Sequence, residues 1–305
     1  MTNSSVKKII TPTVLPLQNT YVTEWSEFLS STFKAQLLLY NAIKTESAGA
    51  ESATSGNTKI NDMLKSALTV LQDIGNSLDN AHQVSYVVEV SNNWKNLIRQ
   101  IQDEGVDLMV TKMPSIGETT PGKLTALMYN SPCPVFFVRE GMQPAKPKKI
   151  LVPIRKKDGL ESLLPTVINW AKKFNSTICL STFEPDGGSA KDRLRLMQRA
   201  ERMAESIRMA GVKLETESAH GYHFGTTALQ RVGFTGADMV VISVQPTNYI
   251  TRLFNKMVGP YFLEHSPVPV LSIPIENSVN ETLDTPANDM SSSIEPDAPV
   301  SLSNS

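Results

Sequence analysis

Apolar positions along this chain follow two periods in alternation. The runs Lys7–Val14, Ala35–Tyr40, Gln83–Val90, Val106–Thr111 and Ser131–Val138 are rich in β-branched and aromatic residues. Such runs suit strands buried on both faces of a parallel sheet. Between them the spacing turns helical. Tyr21, Trp25, Phe28, Leu29 and Phe33 predict a helix over Thr20–Lys34, and Ile60, Met63, Leu64, Ala67, Leu68 and Leu71 another over Ile60–Leu78. Further helices are predicted over Asn93–Glu104, closed by Gly105, and over Thr119–Tyr129, with Pro121 in the first turn. The Ser/Ala/Gly-rich stretch Glu46–Asn57 reads as a loop.

After the Pro/Gly segment Arg139–Pro147 the pattern starts again. VKKIITPTV (Val6–Val14) is answered by PKKILVPIR (Pro147–Arg155), VDLMVT (Val106–Thr111) by ADMVVI (Ala237–Ile242), and SPCPVFFV (Ser131–Val138) by SPVPVLSI (Ser266–Ile273), at separations of 141, 131 and 135 residues. Three matches in the same order mark an internal duplication. The second half adds helices over Leu160–Phe174, Ala190–Ala210 (ended by Gly211) and Gly225–Gly233. Its strands are Ser176–Phe183, Val212–Ser218, Met239–Ile242 and Val268–Ile273. Between the last two, Ile250, Leu253, Phe254, Met257 and Tyr261 have helical spacing. Strand–helix–strand units of this kind build right-handed parallel crossovers, whose ligands sit beyond the carboxyl ends of the strands. The loop Ser243–Thr251 is therefore an expected ligand position.

Composition narrows the class. With 305 residues, 40% hydrophobic and 19% charged, the chain reads as two globular domains. No apolar run reaches the ~18–20 residues of a membrane helix, and MTNSSVKK lacks an apolar signal core, so a cytoplasmic location is expected. Cys133 and Cys179 lie in apparent strands and read as small buried hydrophobes, not a disulfide or zinc framework. The net charge of −1 is uneven: residues 276–305 hold six acids and no Lys or Arg, leaving 29 bases against 24 acids elsewhere. This imbalance is too slight to argue for nucleic acid. The Ser-, Asn- and Pro-rich acidic tail is expected to be disordered.

Each half thus opens with Lys-Lys-Ile-x-x-Pro, carries an Ala/Val-Asp-φ-φ fourth strand and closes with Ser-Pro-x-Pro-Val. These motifs resemble the universal stress protein family in its tandem two-domain form, over Val6–Arg139 and Lys148–Pro274. The resemblance implies two flavodoxin-like (Rossmann-like) domains, each with a parallel five-stranded sheet, packed as a pseudo-dimer. The domains are expected over 1–140 and 148–275, with a linker at 141–147 and the tail at 276–305. It also implies pairing of the final strands, Val135–Val138 with Val270–Ile273, as the family pairs them in dimers.

Many members of that family bind ATP through Gly-x-x-Gly, nine residues, then Gly followed by Ser or Thr, with an Asp after the first strand. Glycines there let backbone N–H groups approach phosphate at a helix N-terminus. Here the positions are held by Ser243, Pro246, Lys256 and Met257 in the second half and by Lys112 and Pro121 in the first. The Asp positions are Val14 and Arg155. Side chains obstruct the approach and proline has no N–H to donate. The resemblance therefore points to a non-catalytic regulatory or scaffold protein in stress response that does not bind ATP in the usual mode and has no cofactor.

The alternative is a nucleotide- or anion-binding sensor using the basic loop Arg155–Lys157. Its candidate contacts are Arg155, Lys156, Ser243, Gln245 and Lys256, with Arg252 nearby. Other constellations are weaker. His220 and His223 lack companion ligands for a metal. His265 reads as a helix-end residue. Asp186–Ser189 lacks the Lys of a phosphate loop and reads as a turn with Ser189 as N-cap. No nucleophile–base pair is recognisable. A homo-oligomer or protein partner is compatible with the pattern; a membrane or nucleic-acid partner is not expected.

Overall fold

The structure is a computed structural model, which describes residues 5–13, 20–44, 53–79, 83–91, 93–155, 163–185, 187, 189–245 and 258–275. The strands are β1 (Lys8–Thr13), β2 (Gln36–Ile43), β3 (Val84–Val90), β4 (Leu108–Lys112), β5 (Val135–Val138), β6 (Lys149–Ile154), β7 (Thr177–Pro185), β8 (Leu214–Gly221), β9 (Met239–Val244) and β10 (Val270–Pro274). The described helices are α1 (Thr20–Phe33), α2 (Ala53–Asn76), α3 (Trp94–Asp103), α4 (Gly122–Asn130), α5 (Leu164–Phe174), α6 (Ala190–Met209), α7 (Phe224–Thr235) and α8 (Val258–His265).

The ten strands form one continuous sheet in the order β3-β2-β1-β4-β5-β10-β9-β6-β7-β8. A five-stranded sheet in each half, with the two final strands paired, is expected from the sequence; the strands form one ten-stranded sheet, joined through those final strands. All neighbours pair in parallel except β5 and β10, which pair antiparallel with Val270 opposite Phe137, Leu271 opposite Phe136 and Ser272 opposite Val135. The physical reason is that neither four- to five-residue strand is an edge here: each donates its free ladder to the other.

Strand residues alternate between two helix-covered faces, as the pleat requires. Ile9, Phe136 and Ile150 point to a core shared with Trp25 and Leu29 of α1, Leu71 of α2, Trp170 of α5 and Ile207 of α6. Ile10, Phe137 and Leu151 point to a core shared with Leu97 of α3, Met128 of α4, Val232 of α7 and Phe262 of α8. Both cores run across the β5–β10 junction. On the first face the junction is aromatic: Phe28 stacks on Phe174 with centroids 6.2 Å apart, and Phe136–Trp170 and Phe33–Trp170 lie at 5.5 and 5.2 Å.

The repeated motifs have a shared structural cause. Asp107 accepts hydrogen bonds from the Lys7 and Lys8 amides at 2.8 and 2.9 Å, and Asp238 accepts from the Lys148 and Lys149 amides at 2.8 and 3.0 Å. Each Asp therefore fixes the start of its half's first strand, at the end of the sheet opposite the ligand crevice. Ser131 and Ser266 repeat a second device, their hydroxyls donating to the carbonyls of Cys133 and Val268 at 2.7 Å.

Several boundaries differ from the sequence reading. Helix α2 begins at Ala53, inside the stretch read as a loop, and α4 begins at Gly122 with Pro121 as its N-cap. Strand β8 runs on to Gly221, so His220 lies in a strand and not in a loop. The linker is packed against the body: Trp25 Nε1 donates to the Met142 carbonyl at 2.9 Å and Ser176 Oγ to that of Pro147 at 2.5 Å. Ile250, Leu253, Phe254, Met257 and the tail 276–305 lie outside the described residues. Cys133 and Cys179 are buried, and burial pushes their thiols up to about 12 and about 11.

Candidate functional site

Strand order reverses in the first half at β1 and β4, whose crossovers lead in opposite directions along the sheet. A crevice must open there beyond the carboxyl ends of the strands. It is occupied by a cavity of about 1340 Å³. Thr11–Thr13 of β1, Tyr40–Ile43 of β2 and Thr111–Lys112 of β4 form its floor, and α1, α2, α3 and α4 supply its walls.

Among the described residues four lysines line this cavity, Lys44, Lys59, Lys112 and Lys123, against one acid, Asp62. Lys44 and Lys112 are placed by strand ends and Lys123 by the first turn of α4. Burial by the walls and the nearby charge of Lys44 lower the pKa of Lys123. Other strand-end lysines have carboxylate partners, as in Lys8–Glu104 at 2.9 Å and Lys149–Glu215 at 2.7 Å. Among the described residues no ion pair is recorded for Lys44 or Lys123. The arrangement is a cationic site whose own charges repel.

The neutral polar groups of the floor are committed to one another. Thr11 Oγ1 donates to Ser26 Oγ at 2.6 Å, Thr13 Oγ1 to the Tyr40 carbonyl at 3.0 Å, and Asn41 Nδ2 to the Thr13 carbonyl at 3.0 Å. Tyr40 donates to Glu89 Oε1 at 2.5 Å, which with burial pushes its phenol well above the ordinary range.

The loop from β4 to α4 is likewise occupied. The Gly117 amide donates to the Glu264 carbonyl at 3.0 Å, the Thr120 amide to Glu264 Oε1 at 2.8 Å, and the Ser115 amide to Glu118 Oε2 at 3.2 Å. Arg139 locks the same loop to the end of α8, donating to the carbonyls of Pro114, Leu263 and Ser266, each at 2.6 Å. Two of the loop's amides, those of Gly117 and Thr120, are thus bonded to the second half and that of Ser115 within the loop itself.

In the corresponding crevice of the second half the described residues place aromatic rings. Aligning Lys8 with Lys149 and Gln36 with Thr177 puts Phe183 at the position of Ala42. Phe183 packs on Phe224 with centroids 5.3 Å apart, and Phe224 on Phe262 at 6.1 Å. Arg155 lies 4.8 Å over the Phe224 ring, a cation–π contact. Ser243 is half-buried at the end of β9 and Gln245 is exposed beyond it. Lys156, Lys157, Arg252 and Lys256 lie outside the described residues.

The remaining candidates have structural places. His220 Nδ1 is 3.7 Å from Glu184 Oε2, which also meets Arg193 at 3.3 Å. His223 is the N-cap of α7 without a side-chain bond. His265 closes α8, its Nδ1 3.0 Å from the Tyr261 carbonyl and its ring stacked on Tyr261. Ser189 is the N-cap of α6, accepting from the Asp192 amide at 3.1 Å.

Sequence reasoning missed Lys44 and Lys123. The signal was present, since both fall just beyond or at the start of elements read correctly in kind. What was absent was any way to see that two lysines separated by 79 positions share one cavity.

No protein-family model and no curated protein sequence matches the chain. Solved structures do. A universal stress protein from Archaeoglobus fulgidus DSM 4304 superposes with a TM-score of 0.67 at 16% identity, over 90% of this chain and 98% of that one. A functionally unknown protein from Pseudomonas aeruginosa PAO1 superposes with a TM-score of 0.58 at 14% identity, over 89% and 93%. The chain has the α/β fold of universal stress protein structures, matched over nearly its whole length.

Proposed function

We propose that this chain is a tandem universal-stress-type protein, with domains at 1–140 and 148–275 packed as a pseudo-dimer. It acts without catalysis in the cytoplasm, as a stress-response regulator that senses an anionic ligand. The observation that carries this reading is the Lys44–Lys123 pair on the first-half cavity, two mutually repelling cations on a wall whose described residues offer a single acid, Asp62. An anion seated between them relieves their repulsion, and partial burial strengthens its attraction to both.

The usual ATP mode is disfavoured by the same geometry. The Gly117 and Thr120 amides are bonded to Glu264, and Pro121 has no N–H. The second-half loop around Arg155, Ser243 and Gln245 remains the alternative anion contact.

Isothermal titration of the full chain with inorganic phosphate, AMP, ATP and an alkyl carboxylate tests the reading. The expected result is micromolar binding of at least one anion, weakened about tenfold or more in Lys44→Ala/Lys123→Ala and unchanged in Arg155→Ala. Binding lost in Arg155→Ala instead would transfer the site to the second half, and no anion binding at all would remove the sensor role.

A further inference from the structure

The cavity's walls say more about its occupant than its charge does. Met63, Ala67 and Val70 form one stripe of α2, spaced as residues on a single helix face, and all three line the cavity. Met63 is 40% and Val70 38% exposed, although the rest of the helix buries Leu71 and Ile74 in the core. Large apolar side chains that face an open cavity are an unpaid hydrophobic surface. Trp94 and Leu124 line it from α3 and α4.

Polar recognition, by contrast, is scarce. The floor hydroxyls of Thr11 and Thr13 and the Asn41 amide donate to protein acceptors. Asn93 Oδ1 accepts from the Lys95 amide at 3.0 Å. A sugar or a base, whose buried hydroxyls and ring nitrogens each need a partner, would find these floor groups already bonded. The volume of about 1340 Å³ also exceeds the ~300–1,000 Å³ typical of small-molecule pockets.

From these observations we infer that the first-half cavity holds an amphipathic anion: a carboxylate or phosphate head at Lys44 and Lys123, and an alkyl or acyl body against Met63, Val70, Trp94 and Leu124. The inference rests on the anion-binding reading above and specifies its ligand class. Phe183 in the second half shows what closes such a space. A ring there stands where Ala42 leaves it open.

The test is isothermal titration of the full chain with hexanoate, octanoate and decanoate below their aggregation limits, alongside decanol, inorganic phosphate and AMP. Affinity is expected to rise about fourfold per added methylene, the equivalent of about 0.8 kcal/mol for each CH₂ removed from water. Lys44→Ala/Lys123→Ala should weaken decanoate at least tenfold while leaving decanol within twofold. Affinity for decanoate should also fall as pH rises into the lowered titration range of Lys123, below the ordinary lysine value of 10.5.

Two further variants keep the wall assignment open to refutation. Val70→Glu, at an already exposed position, should abolish the chain-length dependence without changing the thermal midpoint. Ala42→Phe should exclude decanoate while leaving the fold intact, because Phe183 occupies the matching place. If phosphate or AMP binds but the alkyl series shows no slope, the amphipathic ligand is wrong and the anion reading survives. If no anion binds, both fail.

Discussion

At the scale of single residues, the repeated acids are anchors and not chemistry. Asp107 and Asp238 each hold two consecutive strand amides, so losing either leaves two N–H groups at a strand start without their charged acceptor. Hydrogen bonds to charged groups are worth about 1.5–3 kcal/mol, and partial exposure puts the expectation for Asp238→Ala near the lower end. Denaturant unfolding should show a midpoint shift at unchanged slope. Ser272 carries the opposite lesson. Its hydroxyl is fully buried in β10 and has no hydrogen-bond partner. Ser272→Ala removes an unsatisfied group and should stabilise the fold by about 1 kcal/mol; a loss of stability in thermal unfolding would show that the hydroxyl is satisfied after all.

Glu217 gives a pH dependence at the same scale. Its two carboxylate oxygens accept from the Arg231 guanidinium, Nε at 2.8 Å, and this bidentate pair is the main reason that its pKa is lowered below 4.5. A folded-state value below the unfolded one contributes stability above the unfolded value and loses it as pH falls through the folded one. The stability difference between the native chain and Glu217→Gln should therefore be constant near neutrality and shrink as pH drops below about 4.5. A difference that persists unchanged through that window would dissociate the pair from acid stability.

At the scale of elements, α8 does more than cover the sheet. Glu264 and the carbonyls of Leu263 and Ser266 receive the first half's β4–α4 loop and Arg139, so the segment that frames one half's crevice is pinned by the other half's helix. Close approach of α4 and α8 depends on Gly259, where a Cβ would lie 2.7 Å from Met128 Sδ and 2.9 Å from the Tyr129 hydroxyl. These are side-chain ends that can shift, so Gly259→Ala should be mild. Gly259→Leu must displace them wholesale, and overpacking of this kind costs about 1–3 kcal/mol. Thermal melts of the two variants should separate clearly; equal midpoints would mean that the helices are not in firm contact.

At the scale of the whole molecule, the antiparallel β5–β10 pair and the aromatic junction of Trp25, Phe28, Phe33, Phe136, Trp170 and Phe174 join the halves, beside the α8 contacts. Because both cores run across the β5–β10 pair, one cooperative unfolding transition is expected. Trp170 is fully buried, and Trp170→Ala should cost about 3–5 kcal/mol. If the junction is what couples the halves, the variant should also resolve into two transitions by calorimetry. A single transition in the variant would place the coupling in the sheet and the α8 contacts, and two in the native chain would deny coupling altogether.

Much of this architecture was legible along the chain. The order of elements and the caps at Gly105, Gly211 and Ser189 follow from local physics. Apolar period, left-handed glycine positions and a side-chain oxygen before a helix act within a few residues, so a linear reading captures them. Absence of glycine at Lys112 and Ser243 was legible for the same reason: a backbone that must approach phosphate needs residues without side chains. What tertiary structure alone decided was where space and charge remain. The sequence presents Arg155 and Lys156 as the conspicuous basic loop, yet Arg155 lies over Phe224 and rings stand in its half's crevice. Lys44 and Lys123, inconspicuous in sequence, meet on an open cavity because Ala42 stands where the other half has Phe183. Burial, ring packing and the pairing of β5 with β10 depend on groups brought together across the fold, and no local pattern encodes which of two similar crevices is left empty.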